Sequence, residues 1–324
     1  MKNRLAKLAL LIGRESAQSE LKWMKQKQPN KLLDMLDRRL CGEPLQYILG
    51  PVLSPRLRSP LSSLTGTTPF GPLDLLTRPP TLIPRPETED WALRLARTRT
   101  PSPTHPVRVL DLCTGSGCIP LLLCHLWPPG STRAVGVDIS PDAIRLATDN
   151  TVRSASSTRA PITPDDNNII RIPSISQQHR LRNRVESENV FKPFLGDIHD
   201  PDLLHRLDPH PPFDVITANP PYIPRHVYHT LPSSVKDYED PHALIGDYPD
   251  APVQDGLSFY RSIAALLARK GVLADNATIA LEVGHDQAHA VKHILRRTPG
   301  LRLGHIEIWK DPWHKERVVF ARVA

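Results

Sequence analysis

From about residue 80 onward, short apolar runs alternate with amphipathic stretches, and no other feature limits the fold as tightly. Runs rich in Val, Ile and Leu read as strands buried on both faces, and the stretches between them read as covering helices. Strands are predicted over residues 107–112, 134–138, 190–195, 213–218 and 278–283, with 301–308 and 317–323 as a closing antiparallel pair. Helices are predicted near 119–126, 141–150, 258–270 and 287–297. Such alternation calls for an α/β fold with a parallel sheet covered on both faces. Open sheets of this kind bind ligands beyond the carboxyl ends of their strands. The residues that follow each strand are therefore the candidates for function.

The run 213–218 ends at Asn219-Pro220-Pro221-Tyr222. Two consecutive prolines stop the strand and stiffen the turn. That turn holds a side-chain amide, a rigid backbone carbonyl and an aromatic ring at the strand's end. A carboxamide and a carbonyl can grip a planar –NH₂ group, and the ring can stack on its plane. This combination suits methylation of an amide or amino nitrogen.

The run 107–112 leads into Asp111-Leu112-Cys113-Thr114-Gly115-Ser116-Gly117-Cys118. Gly115 and Gly117 allow a tight turn that brings a ligand close to the backbone, and the following helix offers unpaired N–H groups. The spacing lacks the third glycine of a dinucleotide fingerprint, and there is no G-K-[ST] phosphate loop. Asp138 ends the next strand, where a carboxylate can accept both hydroxyls of a ribose. A glycine loop and such an acid fit NAD or S-adenosylmethionine, and the Asn219 corner favours the methyl donor. Asp197, after the third strand, is placed either against an adenine amino group, with Ile198 covering the ring, or as a helix N-cap.

Composition narrows the remaining choices. Thirty-five prolines in 324 residues signal long irregular segments, and 40% apolar content supports a substantial core. The net charge of +7 is spread along the chain and reads as ordinary solubility more readily than as a nucleic-acid groove. Cys41, Cys113, Cys118 and Cys124 lack metal-ligand or disulfide-framework spacing. No apolar run is long enough to span a bilayer. Residues 1–50 read as a helical domain and 51–80 as a Pro- and Ser-rich linker with a short hairpin. Residues 81–324 form the main domain, interrupted at 151–189 by a polar stretch expected to be a flexible insertion. The first fourteen residues carry Lys2, Arg4, Lys7 and Arg14 but no acid, and Leu5, Leu8, Ala9 and Ile12 share one helical face. They suit an organelle-targeting helix or the first helix of the N-terminal domain.

These motifs together resemble the protein-(glutamine-N5) methyltransferases of the HemK/PrmC type. The resemblance rests on the tetrad 219–222 and on Gly42-Glu43-Pro44-Leu45-Gln46-Tyr47-Ile48-Leu49-Gly50, Phe70-Gly71 and Leu82-Ile83-Pro84-Arg85-Pro86-Glu87-Thr88-Glu89. Glu282-Val283-Gly284, Lys310-Asp311-Pro312 and Arg317-Val318-Val319 match in order. The resemblance implies a seven-stranded, Rossmann-like class I methyltransferase sheet with a small N-terminal helical domain, and S-adenosylmethionine as methyl donor. It implies as substrate the glutamine of a Gly-Gly-Gln loop in a class 1 peptide-chain release factor, gripped in part by the N-terminal helices. The enzyme is expected to act as a monomer, with no membrane and no stable nucleic-acid partner. The compartment is expected to be mitochondrial, on the acid-free N-terminus and long insertions, and otherwise cytoplasmic.

In this reading the Asn219 oxygen and the Pro220 carbonyl accept the two N–H hydrogens of the substrate amide. Tyr222 packs on the amide plane, and Pro221 stiffens the corner. Tyr238-Glu239-Asp240-Pro241 and Asp255-Gly256-Leu257 fall near the substrate mouth, with Glu239 as a partner for the substrate backbone or a surface carboxylate. Arg85 and Glu87 either line the mouth or pair with each other. The chain departs from the family in having Cys113 where glycine is usual, in its long insertions at 51–69 and 151–189, and in its short N-terminal region. Two other functions use similar motifs: a nucleic-acid adenine methyltransferase, which grips a flipped base with the same tetrad, and a binding protein of this fold without turnover.

Overall fold

A computed structural model describes residues 2–27, 29–49, 66–156, 170–172 and 188–324. The N-terminal part holds α1 (Lys2–Ile12), α2 (Arg14–Lys27), α3 (Leu32–Leu40) and the single turn α4 (Leu45–Ile48). Leu8, Leu21, Met24, Met35 and Leu36 form its core with Leu45 and Ile48. Leu8, from the acid-free first helix, is wholly buried there.

Next come an antiparallel hairpin, β1 (Gly66–Phe70) and β2 (Leu73–Thr77), and the helix α5 (Pro86–Arg97). The main sheet contains β3 (Val107–Leu112), β4 (Thr132–Asp138), β5 (Ile170–Ile172), β6 (Asn189–Leu195), β7 (Phe213–Ala218), β8 (Leu273–Glu282), β9 (Leu303–Lys310) and β10 (Glu316–Val323). Their order is β5-β6-β4-β3-β7-β8-β10-β9. The five central strands run parallel, and β10 inserts antiparallel between β8 and β9. All seven predicted strands are present. An eighth, β5, pairs antiparallel with the outer edge of β6.

That eighth strand corrects the reading of 151–189 as wholly irregular, and the helix before it runs on to Ser156 as α7 (Pro141–Ser156). Three residues in a polar stretch carry no detectable period, and the open edge of β6 supplies the hydrogen-bond partners that make them a strand. The rest of the expected insertion, and much of the Pro-rich linker 51–80, lies outside the described residues. β8 starts five residues before the predicted 278 because of a register shift opposite Phe213–Val215, with Asn276 at φ +58°. The sequence reading also missed α5. Its signal lay in Pro86 at the first turn, Glu87 and Glu89 beside the positive helix end, and Thr88, Trp91, Ala92 and Leu95 on one buried face.

One face of the sheet packs against α9 (Ser258–Leu267) and α10 (Ala288–Arg297). The other packs against α5, α6 (Cys118–Leu126) and the hairpin, with Trp91, Leu95 and Leu122 beside Phe70 and Leu75. Burial of side chains this size contributes about 1.5–3 kcal/mol each. Polar ties hold the hairpin in place. Asn150 on α7 accepts from Leu76 N at 2.6 Å and donates to Leu76 O at 3.2 Å and Ser116 O at 3.0 Å. Thr77 donates to Gln46 O at 2.9 Å, and Tyr47 to Thr81 O at 2.8 Å, joining the N-terminal helices to the main domain. No helix among the described residues is long and apolar enough to cross a membrane.

Candidate active site

The carboxyl ends of β3, β4, β6 and β7 surround a cavity of about 540 Å3. Cys113, Gly115, Asp138, Asp197, Ile198, Asn219 and Pro221 all line it. These residues come from segments more than a hundred positions apart, and the sheet order brings them to one edge.

Behind the loop after β3, Asp111 is fully buried and accepts hydrogen bonds from the Thr114 and Thr217 hydroxyls, both at 2.6 Å. Thr114 and Ser116 are buried with it, and none of the three lines the cavity. They shape the loop, while Cys113 and Gly115 present its surface. Gly117 starts α6 at φ +77°, and a Cβ there would lie 2.8 Å from the Phe191 ring. Cys113 also has positive φ, +57°. Burial and the nearby Asp138, Asp111 and Asp197 carboxylates push its thiol upward, so this wall of the cavity is a neutral thiol.

Burial pushes Asp111 up to about 7, against the two hydroxyl bonds that pull it down. Its folded-state value lies above the unfolded one, so its contribution to stability is complete below about pH 4. That contribution is lost as the pH rises through about 7, and is worth at most about 4 kcal/mol. Urea midpoints of the wild type should therefore fall between pH 5 and pH 8, and fall less in Asp111→Asn. An equal fall in both proteins would remove Asp111 as the cause.

Asp138 uses each oxygen once. Oδ2 accepts from Gly115 N at 2.8 Å and Oδ1 from Ser140 N at 2.9 Å. Each keeps a lone pair, and the residue lines the cavity. Burial raises its pKa, opposed by the backbone N–H groups of Ser140, Gly115 and Ile139. Asp197 is not a helix cap. Its Oδ1 accepts from His199 N at 2.9 Å and lies 2.8 Å from His199 Nδ1, in a turn that ends before the helix α8 (Leu203–Arg206). Ile198 is buried and faces both the core and the cavity.

Sequence reading missed the wall opposite. Tyr248 lies edge-on to His199 at 5.1 Å and against Phe259 at 4.9 Å, and its hydroxyl donates to Ser262 at 3.0 Å. Nothing local marks these positions, which meet only through the fold. Asp138, Asp197, Asp240 and Asp247 make the lining acidic. An acidic, partly apolar cavity of this volume, with a two-oxygen acceptor at one end, fits the ribose and the sulfonium of S-adenosylmethionine.

At the head of the cavity, Asn219 Nδ2 donates to Thr88 Oγ1 at 3.4 Å. The backbone of the corner is clamped from several sides. Tyr222 O accepts from Gln287 Nε2 at 2.9 Å, while Gln287 Oε1 accepts from Gly284 N at 3.0 Å. Ile223 pairs in parallel with Ile245, and Asp247 accepts from Arg225 N and Gly256 N. Pro220 and Pro221 are buried, and the half-buried Tyr222 ring packs on the main core. Burial pushes its hydroxyl up to about 12, with Glu282, Arg317, Arg85 and Glu87 also acting on it. Gly256 sits at φ +72°, and a Cβ there would lie 2.2 Å from Tyr222 O. Gly256→Ala is therefore expected to cost about 2–4 kcal/mol through strain and overpacking. A chemical melt checks this, and an unshifted midpoint would show that the corner yields freely.

The structure corrects the placement of Glu239. The residue is 2% exposed, and its Oε2 accepts from Arg85 Nη2 at 2.6 Å while Oε1 lies 3.5 Å from Ile83 N. It is neither a surface carboxylate nor open to a substrate backbone. Arg85 pairs with Glu239 instead of Glu87. Burial raises the Glu239 pKa and the Arg85 charge opposes this. A buried acid needs such a partner, and here the pair latches the segment before α5 to the loop that follows the corner. Asp240 N, donating to Pro80 O at 2.8 Å, reinforces the latch.

Among the described residues, no group of three or more His, Cys, Asp and Glu side chains is placed to hold a metal ion. No family model matches the chain. A release factor glutamine methyltransferase of Geobacter sulfurreducens is 32% identical over 292 residues, covering 89% of this chain and 81% of that protein. One from Clostridium acetobutylicum is 32% identical over 264 residues, covering 82% and 75%. One from Thermodesulfovibrio yellowstonii is 30% identical over 292 residues, covering 90% and 81%. With this identity sustained across most of both chains, and Asn219 and Pro221 of the Asn-Pro-Pro-Tyr corner lining the cavity, the chain belongs to the release factor glutamine methyltransferase family.

Proposed function

We propose that this enzyme methylates the side-chain amide nitrogen of the glutamine in the Gly-Gly-Gln loop of a class 1 release factor, using S-adenosylmethionine. The observation that carries the reading is the Asn219 carboxamide, held at the head of the acidic cavity by a proline-stiffened, multiply clamped corner.

An amide nitrogen is a weak nucleophile because its lone pair is delocalised into the carbonyl. The bound donor supplies an electrophilic methyl group on a positively charged sulfur. The chain's task is therefore alignment more than base catalysis. Asn219 Oδ1 and the Pro220 carbonyl accept the two N–H hydrogens of the substrate amide and aim its lone pair at the methyl carbon. Tyr222 supports the amide plane. The N–C bond forms as the S–C bond breaks, and one amide proton then passes to solvent. Alignment of this kind can supply up to about 7–11 kcal/mol, and acceptors fixed in a dry site add to it as the nitrogen becomes positive.

The N-terminal helices, tied to the main domain through Tyr47 and Thr77, are proposed to grip the release factor, with one enzyme molecule sufficing for turnover. We further propose a mitochondrial location, on the acid-free N-terminus and the long insertions, and fluorescent tagging at the C-terminus tests it. The decisive experiment is mass spectrometry of release factors incubated with enzyme and donor. One added methyl group on the loop glutamine is expected. Methyl transfer to DNA or RNA but not to any release factor would overturn the proposal.

A further inference from the structure

We propose that Thr88 and Glu282, neither of which faces the cavity, are positioning residues that decide which end of the Asn219 carboxamide meets the substrate. The inference rests on the functional reading above and adds what makes Asn219 an acceptor.

Thr88 Oγ1 lies 2.6 Å from Glu282 Oε2, and Trp91 Nε1 lies 2.7 Å from the same oxygen. Glu282 is 1% exposed and Thr88 equally so. An indole N–H can only donate, and an ionised carboxylate can only accept. The single Thr88 hydrogen therefore goes to Glu282. Only lone pairs remain on Oγ1 to face Asn219, so the –NH₂ end of Asn219 must turn toward Thr88, as it does at 3.4 Å. Oδ1 is thereby left for the substrate. In the reversed orientation an –NH₂ group would meet the substrate's own –NH₂, donor against donor. Asn219 by itself has no preference between the two.

The same logic couples the corner to a proton. If Glu282 gains a proton, it can donate to Thr88, whose own hydrogen then turns to Asn219 and favours the reversed amide. Burial raises the Glu282 pKa, while the Thr88 and Trp91 bonds and the Arg317 charge lower it and Glu87 raises it. The Tyr222 and Tyr260 phenols and the Cys118 thiol also face it. Among these, Arg317 is the cation that favours the ionised form.

The test uses the full chain and Thr88→Val, Thr88→Ser and Glu282→Gln. Thr88→Val keeps the shape and removes the hydroxyl. It should lower kcat by about 10- to 100-fold, with affinity for S-adenosylhomocysteine by calorimetry unchanged. Thr88→Ser should restore kcat. Glu282→Gln keeps an acceptor oxygen but cannot titrate, so the acid limb of the kcat–pH profile at saturating donor should disappear. In the wild type, the 15N side-chain amide resonances of Asn219 should move with pH along that same limb. They should stay still in Glu282→Gln.

Wild-type kcat in Thr88→Val, a loss that Thr88→Ser fails to restore, or amide resonances that ignore Glu282 would each overturn the inference. The resonances report on it whether or not a release factor is methylated. A wild type inactive on release factors would sink the functional reading alone.

Discussion

Asn219→Ala is expected to lower kcat about a thousandfold, equivalent to about 4 kcal/mol of transition-state stabilisation, while the fold and donor affinity are retained. In the proposed mechanism alanine removes the acceptor that would orient the substrate amide. Among the described residues the Asn219 side chain makes one hydrogen bond, the 3.4 Å contact with Thr88, so its loss should leave the melting temperature nearly unchanged. Pro220, Pro221 and the Gln287 clamp on Tyr222 O hold the backbone of the corner without it. Single-turnover rates with a saturating donor, together with calorimetry of S-adenosylhomocysteine, separate the two roles. Undiminished turnover would remove Asn219 from the chemistry, and a matching collapse of donor affinity would make it a donor-binding residue instead.

The second large effect is expected at Asp138. Asp138→Ala should weaken donor affinity about a hundredfold, or about 3 kcal/mol, with kcat at saturation little changed. Two charge-assisted acceptor positions toward a ribose diol are lost together. The binding should also depend on pH. Burial raises the Asp138 pKa, and the ionised form is the better acceptor. Affinity should therefore hold above that pKa and fall on acidification, at a higher pH than an exposed aspartate would give. Asp138→Asn should lack this acid limb. Calorimetry across pH measures both effects, and an affinity in Asp138→Ala equal to the wild type would place the ribose elsewhere.

Much of the cavity lining was legible in the sequence. The strands 107–112 and 213–218 fall where the apolar runs do, because a strand buried on both faces leaves a run that needs no tertiary context. The glycine loop, Asp138 and the Asn219 corner were legible for a related reason: each sits directly after a strand, and parallel strands deliver their carboxyl ends to one edge. Asp111, Thr114 and Ser116 were harder to read. They lie at the end of β3 and in the glycine loop after it, yet their side chains turn inward and hold that loop up. Sequence position gives no direction for a side chain on a loop with unusual φ angles.

Local chemistry thus determined the seven predicted strands and the turns that follow them, since apolar period, paired prolines and glycine turns act between near neighbours in the chain. Tertiary structure alone decided which distant charged and polar groups pair. Arg85 finds Glu239 across 154 positions, and Thr88 finds Glu282 across 194. A buried carboxylate accepts whichever donor the packing brings within 3 Å, and that choice depends on how helices and loops close over the sheet.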